Sequence, residues 1–379
     1  MKREIRMNKA QYIMVGGFLG AGKTTAIIQI AQLLAKQNFT VGLITNDQSQ
    51  GLVDTTLTSS AGFPVEEITG GCFCCKFNSL VNAADRLSKE KRPDMFLAEP
   101  VGSCTDLKAT VDYPLRRMYG SDYWIAPLSV MVDPIRALRI LKLEEGKSFS
   151  EKVIYIYRKQ LEEADIIVIN KTDIISAERL QHLREAINDM FSPADIVLMS
   201  ARHGQGTEEW LKIINQAGSY KNKELEIDYD TYAEGEALLG WLNCTAEIVG
   251  IHQFDGNLLL LNLVNEVKDR IKGVAKEIAH LKVTLIPSEN GQDIGVVNLV
   301  RNELDPEISF FLKGDLNSGK LIFNLRAECD PEILHSIFLE TCKSIENSKM
   351  VQLIVEHLEF FKPGRPVPTH RLKPVEKTI

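Results

Sequence analysis

The sequence predicts an α/β fold, a mostly parallel sheet with helices on both faces, followed by a smaller α+β domain. The chain has 379 residues, more than one ordinary domain of roughly 100–200 residues contains. In the first half, short apolar runs alternate with segments of helical periodicity, a pattern typical of a parallel sheet. This rhythm changes after residue 216, and the change indicates a second domain.

The first half opens with a buried strand and an amphipathic helix. The helix is predicted over Lys23–Gln37, where Ile27, Ile30, Ala31 and Leu34 share one face. Six apolar runs are predicted to be buried strands: Tyr12–Val15, Val41–Thr45, Met95–Ala98, Leu128–Val132, Ile166–Ile169 and Ile196–Met199.

The second half follows a last helix near Leu211–Asn215 and a predicted linker, Gln216–Glu226. Its elements are expected in the order β-α-β-β-α-β, an arrangement similar to a ferredoxin-like domain. The expected strands and helices, in chain order, are Cys244–Ile251, the helix Asn257–Ile271, Lys282–Pro287, Ile308–Lys313, Lys320–Arg326, the helix Pro331–Ser344 and Val351–Phe360. We therefore expect domains at residues 1–218 and 226–361, and an extended proline-rich tail at 362–379.

The composition is that of a soluble globular protein, with 44% hydrophobic and 25% charged residues. A net charge of −7 argues against binding to nucleic acid or to an anionic membrane through bulk charge. Seven cysteines are too few for a disulfide scaffold and favour a reducing compartment. No stretch approaches 18 uncharged apolar residues, so we expect no membrane span and a cytoplasmic protein.

A glycine-rich loop joins the first strand to the first helix. Residues 16–25 read GGFLGAGKTT and fit the P-loop pattern, in which backbone N–H groups and the helix N-terminus bind a phosphate chain. Its lysine reaches the β- and γ-phosphates and its threonine hydroxyl binds Mg²⁺. The candidate phosphate-binding residues are Gly17, Gly20, Ala21, Gly22, Lys23, Thr24 and Thr25.

A second motif predicts the base. The strand at Ile166–Ile169 ends in Asn170, Lys171 and, two positions on, Asp173. A carboxylate at this point accepts hydrogen bonds from the N1–H and the 2-amino group of guanine, a donor pair that adenine lacks. Ser200 and Ala201, at the end of the next strand, are expected to lie behind the base, and GTP is favoured over ATP.

Carboxylates at two strand ends are candidate Mg²⁺ and phosphate contacts. Glu99 ends the strand at Met95–Ala98, where ligands bind in doubly wound sheets, and an ordinary solvated carboxylate is the alternative. Asn46 and Asp47 follow another strand and begin a predicted switch loop that extends to Asp54.

Three cysteines occur within four positions, in the sequence TGGCFCCK. Cys72, Cys74 and Cys75 are too close together to form unstrained disulfides with one another, whereas their thiolates can converge on Zn²⁺ or a similar ion. A three-thiolate site needs a fourth ligand from elsewhere or a water molecule, which suits a metal that is passed on. Cys104 is a candidate for that ligand, although a lone cysteine is more often part of a core. A redox-active or merely buried cluster is the alternative.

Together, GGFLGAGKTT, TGGCFCC, LAEPVG and NKTD resemble the CobW-like branch of the Glu-x-x-Gly P-loop GTPases, whose relatives include UreG and HypB. The resemblance covers residues 11–215 and implies a SIMIBI-type P-loop domain, slow Mg²⁺-dependent GTP hydrolysis and a Cys-x-Cys-Cys site for Zn²⁺ or another transition metal. It implies that Lys23, Glu99 and Asp47 are catalytic, and that Thr24 and Glu99 bind Mg²⁺. The switch differs from the family's Asn-Glu-Phe-Gly-Glu, because an amide replaces one acid in Asn46–Gln50.

These features predict a metallochaperone that binds GTP and GDP and whose nucleotide state controls metal release to a client metalloprotein or a metallocofactor assembly protein. A homodimer formed in the GTP state is a further expectation. The alternative is an assembly or activation factor for a corrinoid or other metalloprotein, with a structural zinc site. The NKTD motif argues against a small-molecule kinase, which would require a preference for ATP. The tail motif around Pro363, with His370 and Arg371, is expected to be a docked or partner-binding segment.

Overall fold

The computed structural model describes residues 9–46, 62–216, 220–221, 223–289 and 293–374. The described chain divides into two compact units. The first contains the residues up to Ala233 together with the tail from Pro366, and the second covers Glu234–Arg365.

The first unit is built on an eight-stranded sheet in which every described pairing is parallel. Its strand order is β3-β2-β4-β1-β6-β7-β8, and β5 pairs with the first part of β1. The strands are β1 Ala10–Gly17, β2 Val41–Asn46, β3 Val65–Ile68, β4 Met95–Glu99, β5 Tyr123–Ile125, β6 Ser129–Val132, β7 Ile166–Ile169 and β8 Asp195–Leu198. The predicted α/β fold class is confirmed. Strands β3 and β5 were not predicted; both are short, and β3 is half-buried at the sheet edge.

Helices lie between these strands and after the last of them, and the final helix, Tyr229–Leu238, spans the boundary between the two units. The helices are α1 Lys23–Lys36, α2 Phe77–Leu87, α3 Tyr113–Tyr119, α4 Pro134–Ile140, α5 Glu151–Glu163, α6 Ala177–Met190, α7 Thr207–Ile214 and α8 Tyr229–Leu238. One core forms where Ile27 and Ile30 of α1 and Trp210 of α7 pack against Ile13 and Val15 of β1. Because side chains alternate along a strand, the residues of β1 next to Ile13 and Val15 face the opposite side of the sheet.

The second unit is a six-stranded antiparallel sheet with two helices. Its elements are β9 Leu239–Phe254, α9 Gly256–Gly273, β10 Glu277–Pro287, β11 Gly295–Leu299, β12 Glu307–Phe310, β13 Leu316–Glu328, α10 Pro331–Asn347 and β14 Val351–Phe361. The strand order is β12-β11-β10-β13-β9-β14. It contains the five predicted strands, of which the one expected at Ile308–Lys313 is β12 at Glu307–Phe310, and one further strand, β11. Strand β11, of five residues, was not predicted. Among the helices that the structure describes, none has the length and apolarity to cross a membrane.

A buried ion pair joins distant parts of the first unit. The Nζ of Lys108 lies 2.6 Å from Oδ1 of Asp165, and the two side chains are 2% and 0% exposed. Asp165 also accepts hydrogen bonds from the backbone N–H groups of Leu128 (2.8 Å) and Lys221 (2.7 Å). The pair therefore fixes a short π-helix, Lys108–Asp112, against the start of β7.

We predict that Lys108→Met lowers the free energy of unfolding by about 3–5 kcal/mol, because it leaves a buried carboxylate without its cation. Urea denaturation monitored by circular dichroism measures the change. The control is Lys142→Met, whose partner Glu151 is 3.5 Å away and largely exposed, so that little change is expected. Equal effects of the two substitutions would contradict the importance of the buried pair.

Candidate functional site

The parallel sheet brings the predicted motifs to one edge. In the spatial order of the strands, the cysteine loop follows β3, Asn46 ends β2, Glu99 ends β4 and the P-loop follows β1. On the other side of β1, the Asn170–Asp173 segment follows β7 and Ser200 follows β8. Carboxyl ends of parallel strands are where ligands bind in this class of fold.

Two glycines give the P-loop its shape. Gly17 has φ 128° and Gly22 has φ 91°, conformations that disfavour other residues. A Cβ atom on Gly17 would lie 2.4 Å from the carbonyl oxygen of Met131, and one on Gly22 would lie 2.4 Å from Nδ2 of Asn170. The loop is thus packed directly against β6 and against the segment after β7, and α1 begins at Lys23 with its N-terminus toward the loop.

A buried group of polar side chains lies where a Mg²⁺-phosphate complex is expected. Thr24 Oγ1 donates a hydrogen bond to Glu99 Oε1 at 3.1 Å, and Lys23 Nζ lies 3.8 Å from the same oxygen. All three residues are buried, whereas Thr25 is exposed. A hydroxyl, a carboxylate and an ammonium group are the side chains that Mg²⁺ and phosphate use.

The loops predicted to hold the base form a connected network. Asn170 Nδ2 donates to Ala21 O at 2.9 Å, and its Oδ1 accepts from the N–H of Ala201 at 2.9 Å. Ser200 Oγ donates to Asp173 Oδ1 at 2.6 Å. The Asp173 side chain is 21% exposed, which leaves it accessible to a ligand.

Lys171 makes contacts that the sequence analysis did not anticipate. Its Nζ donates to Gly20 O at 2.7 Å and to Asp133 Oδ2 at 2.9 Å. Asp133 caps α4 and follows β6, so an aspartate directly after a buried strand was the available signal. His203, which the sequence analysis did not count as a site residue, has its Nε2 3.9 Å from Asp173 Oδ2.

Asn46 connects the end of β2 to the cysteine loop. Its Nδ2 donates to Ile68 O at 3.0 Å and to Gly71 O at 2.8 Å, and its buried Oδ1 has no hydrogen-bond partner among the described residues. Asp47, Asp54 and the predicted switch loop between them lie outside the described residues.

The three clustered cysteines converge. Their Sγ atoms all lie within 4.8 Å of one another, at 2.7 Å for Cys72–Cys74, 3.3 Å for Cys72–Cys75 and 3.6 Å for Cys74–Cys75. Zn–S bonds of about 2.3 Å in a tetrahedral site place sulfur atoms about 3.8 Å apart. Two of the three distances are close to this value, and the Cys72–Cys74 pair has to separate by about 1 Å. Cys72 and Cys74 are buried, and Cys75 is half-buried.

Hydrogen bonds among the thiols make them chemically unequal. Hydrogen bonds with the thiols of Cys104, Cys74 and Cys75 hold the pKa of Cys72 well below its usual value. The pKa of Cys74 is raised by its contacts with Cys104 and Cys72, and contact with Cys72 raises the pKa of Cys75 to about 11. The thiolate is the form of cysteine that binds metal.

The C-terminal tail packs on the cysteine loop. The N–H of Val367 donates to Cys75 Sγ at 3.3 Å, and Thr369 donates through its N–H to Cys74 O at 2.8 Å and through Oγ1 to Cys75 O at 3.0 Å. The His370 ring packs edge-on against Phe77, the first residue of α2, with ring centroids 5.0 Å apart.

The tail continues across the segment that follows β4. Arg371 Nε donates to Oδ2 of Asp106 at 2.8 Å, and Tyr229 OH donates to the same oxygen at 2.7 Å. The Asp106 side chain is 1% exposed, and burial raises its pKa. The tail is thus a docked segment, one of the two roles that the sequence analysis considered for it.

Known proteins are similar in sequence to about half of this chain. The family model for the CobW/HypB/UreG nucleotide-binding domain matches residues 11–198. Over 198 residues the chain is 32% identical to the zinc chaperone YeiR of Escherichia coli, a match that covers 51% of this chain and 55% of that protein. It is 26% identical over 213 residues to the zinc chaperone CobW of a Sinorhizobium species, covering 51% and 59% of the two chains. The match thus spans little more than half the length of these relatives.

Among solved structures, HypB of Helicobacter pylori in complex with nickel is similar, with 18% identity and a TM-score of 0.43. The alignment covers 59% of this chain and 96% of that one.

We predict that Arg371→Ala loosens the tail and lowers the free energy of unfolding by about 1–3 kcal/mol, because the buried Asp106 carboxylate loses its cation. Hydrogen exchange followed by mass spectrometry measures the protection of residues 366–374 and of the cysteine loop. The control is Lys373→Ala, whose pair with Glu224 at 2.8 Å is exposed. Unchanged protection in Arg371→Ala would show that this ion pair does not hold the tail.

Proposed function

We propose that the protein is a GTP-hydrolysing metallochaperone, because residues 11–198 match the family model for the CobW/HypB/UreG nucleotide-binding domain. In this proposal it binds GTP or GDP with Mg²⁺, holds Zn²⁺ or a similar transition metal at Cys72, Cys74 and Cys75, and releases the metal according to nucleotide state. The proposal agrees with the zinc chaperone names of the relatives and extends to this chain what those names say of them.

The nucleotide is assigned to the pocket between the P-loop and the segments after β7 and β8. The backbone of Gly17–Gly22 and the N-terminus of α1 bind the phosphates, and Lys23 and Thr25 add side-chain contacts. Asp173 accepts hydrogen bonds from guanine while Ser200 orients its carboxylate. Asn170 and Lys171 hold the loops in place, because both donate to P-loop carbonyl groups.

For Mg²⁺, the residues that fit are Thr24, through its hydroxyl, and Glu99, through its carboxylate. When bound, Mg²⁺ neutralises charge on the β- and γ-phosphates. Lys23 stabilises the negative charge of the transferring phosphoryl group, and Asp47 is proposed to orient the attacking water. Since no described side chain near the P-loop is placed as a strong general base, slow hydrolysis is expected.

Metal binding is assigned to the three converging thiols. Thiolate ligands suit Zn²⁺ and other thiophilic ions, and two of the three sulfur–sulfur distances lie close to zinc-site spacing. The half-buried thiol of Cys75 gives an entry side for the ion. The metal is cargo in this proposal, which distinguishes it from the alternative of a structural zinc site in an assembly or activation factor.

The observation that carries the coupling is the shared sheet edge. The cysteine loop, Asn46, Glu99 and the P-loop follow four adjacent strands, and Asn46 donates directly to the carbonyl of Gly71 in the cysteine loop. A change at the end of β2 on nucleotide exchange is therefore transmitted to the turn that positions Cys72. The nucleotide site and the metal site would then both act on the contact between the end of β2 and the cysteine loop, and allosteric coupling requires such a shared element.

The partner proposed for this chaperone is a client metalloprotein or a metallocofactor assembly protein. We also propose that the protein forms a homodimer in the GTP state and that it is cytoplasmic.

We predict that Asp173→Asn weakens GTP binding by about 5- to 150-fold, since it loses a charged acceptor for guanine worth about 1–3 kcal/mol. The same change should improve binding of xanthosine triphosphate, whose 2-oxo group accepts from the new amide. Isothermal titration with both nucleotides measures the switch, and Asp189→Asn, on the exposed side of α6, is the control. A loss of affinity for both nucleotides would argue against this role for Asp173.

We predict that the protein binds Zn²⁺ more tightly with a non-hydrolysable GTP analogue than with GDP, and that Cys74→Ser weakens Zn²⁺ binding without unfolding the chain. Chelator competition measures affinity, and thermal unfolding of the apoprotein measures the fold. Equal affinities in the two nucleotide states would refute the coupling. A large loss of melting temperature on removing zinc from the wild type would favour the structural-zinc alternative.

A further inference from the structure

A fourth thiol, which is buried, adjoins the cysteine cluster from a different part of the chain. Cys104 is 1% exposed and lies five positions after Glu99, in the loop between β4 and the π-helix. Its thiol is in hydrogen-bond contact with the thiols of both Cys72 and Cys74. The function proposed above assigns it no role.

The loop that carries Cys104 is held in place by α5. Gln160, which is 2% exposed, donates through Nε2 to the carbonyl of Gly102 at 2.9 Å and to that of Cys104 at 2.8 Å. The N–H of Cys104 donates to Val101 O at 3.0 Å. These hydrogen bonds already fix the backbone at Cys104, so binding a metal through its thiol would not require the loop to become ordered. Such a fixed position is suitable for a metal ligand.

We propose that Cys104 is a fourth thiolate ligand, so that the metal site is formed by Cys72, Cys74, Cys75 and Cys104. This inference rests on the proposed function, because it concerns the same metal site. Zn²⁺ prefers four tetrahedral ligands, and Cys104 adjoins two of the three clustered thiols. Its sulfur is not in the group of three whose sulfur atoms all lie within 4.8 Å of one another, so the Cys104 side chain has to move towards Cys75 as the metal binds. Each thiol gives its proton to solvent as its sulfur binds, and no redox step is involved.

The fourth ligand also joins the metal to the nucleotide pocket. Cys104 belongs to the segment that begins at Glu99, and Gly102 of that segment packs against the P-loop. A Cβ atom on Gly102 would lie 3.0 Å from the backbone nitrogen of Leu19. A shift of the P-loop or of Glu99 on nucleotide exchange therefore moves the segment that holds one of the four sulfur atoms, whereas the other three move with the loop after β3.

The test compares the full wild-type chain with Cys104→Ser and Cys104→Ala, each purified anaerobically and loaded with one equivalent of Zn²⁺. The control is Cys342→Ser, because Cys342 is also buried but belongs to the second unit. X-ray absorption fine structure counts the sulfur ligands, and chelator competition gives the affinity. Thermal unfolding of each apoprotein identifies a variant that does not fold, in which case the other Cys104 variant is used.

We expect four sulfur ligands at about 2.3 Å in the wild type and the control, and three sulfurs with one oxygen or nitrogen ligand in the Cys104 variants. We also expect the variants to bind Zn²⁺ at least about tenfold more weakly. Three sulfur ligands in the wild type would overturn the inference without recourse to any variant. Unchanged affinity and sulfur count in a folded variant would do the same.

The outcomes separate this inference from the proposed function. A wild type that binds Zn²⁺ through three sulfurs, with nucleotide-dependent affinity, supports the metallochaperone and overturns the role of Cys104. Four sulfurs with no difference between GTP and GDP states support Cys104 as a ligand and overturn the coupling. A wild type that binds no thiophilic metal overturns both.

Discussion

The parallel pairing of the first sheet is the constraint on which the candidate sites depend. Antiparallel neighbours would place successive strand ends at opposite edges, whereas parallel neighbours place them all at one. Strand β1 lies in the middle of the sheet, so the P-loop after it has Glu99 on one side and Asp133 on the other. Phosphate, base and metal contacts from distant parts of the sequence therefore meet without any long excursion of the chain.

Close backbone approach is the second consequence of this arrangement. The segment after β7 can hold the P-loop only because Gly22 has no side chain in the space occupied by the Asn170 amide. Asn170 then bridges the phosphate-binding and base-binding loops through hydrogen bonds within the protein itself. Such pre-organisation reduces the ordering cost of binding, since the loops need not be assembled by the ligand.

Local signals in the sequence predicted most of the first unit. The P-loop, the Asn-Lys-x-Asp segment and the cysteine cluster are each contiguous in sequence. The spacing of each has a chemical explanation that does not depend on the fold, so each can be recognised from the sequence alone. The same holds for buried strands such as Ile166–Ile169, which are apolar throughout. Short or half-exposed strands such as β3 lack this signal, because their residues need not be uniformly apolar.

Contacts between distant residues could not be predicted in the same way. The ion pair of Lys108 with Asp165 joins residues 57 positions apart, and neither residue lies in a recognisable motif. The proximity of Cys104 to the cysteine cluster depends on β4 lying only one strand, β2, away from β3, which the sequence alone does not specify. The strand order brings Cys104 next to Cys72 and Cys74.

The docked tail has a consequence for the way the protein is made. The hydrogen bond from Val367 to Cys75 joins residues 292 positions apart, so it can form only after nearly all of this sequence has left the ribosome. The domain that carries the cysteines emerges first and can fold while synthesis continues. During that interval the thiol of Cys75 lacks the hydrogen bond from Val367 and is more open to oxidation or to adventitious metal. Synthesis of residues 366–374 therefore completes the packing around the cysteine loop, and a chain truncated before residue 366 lacks these contacts.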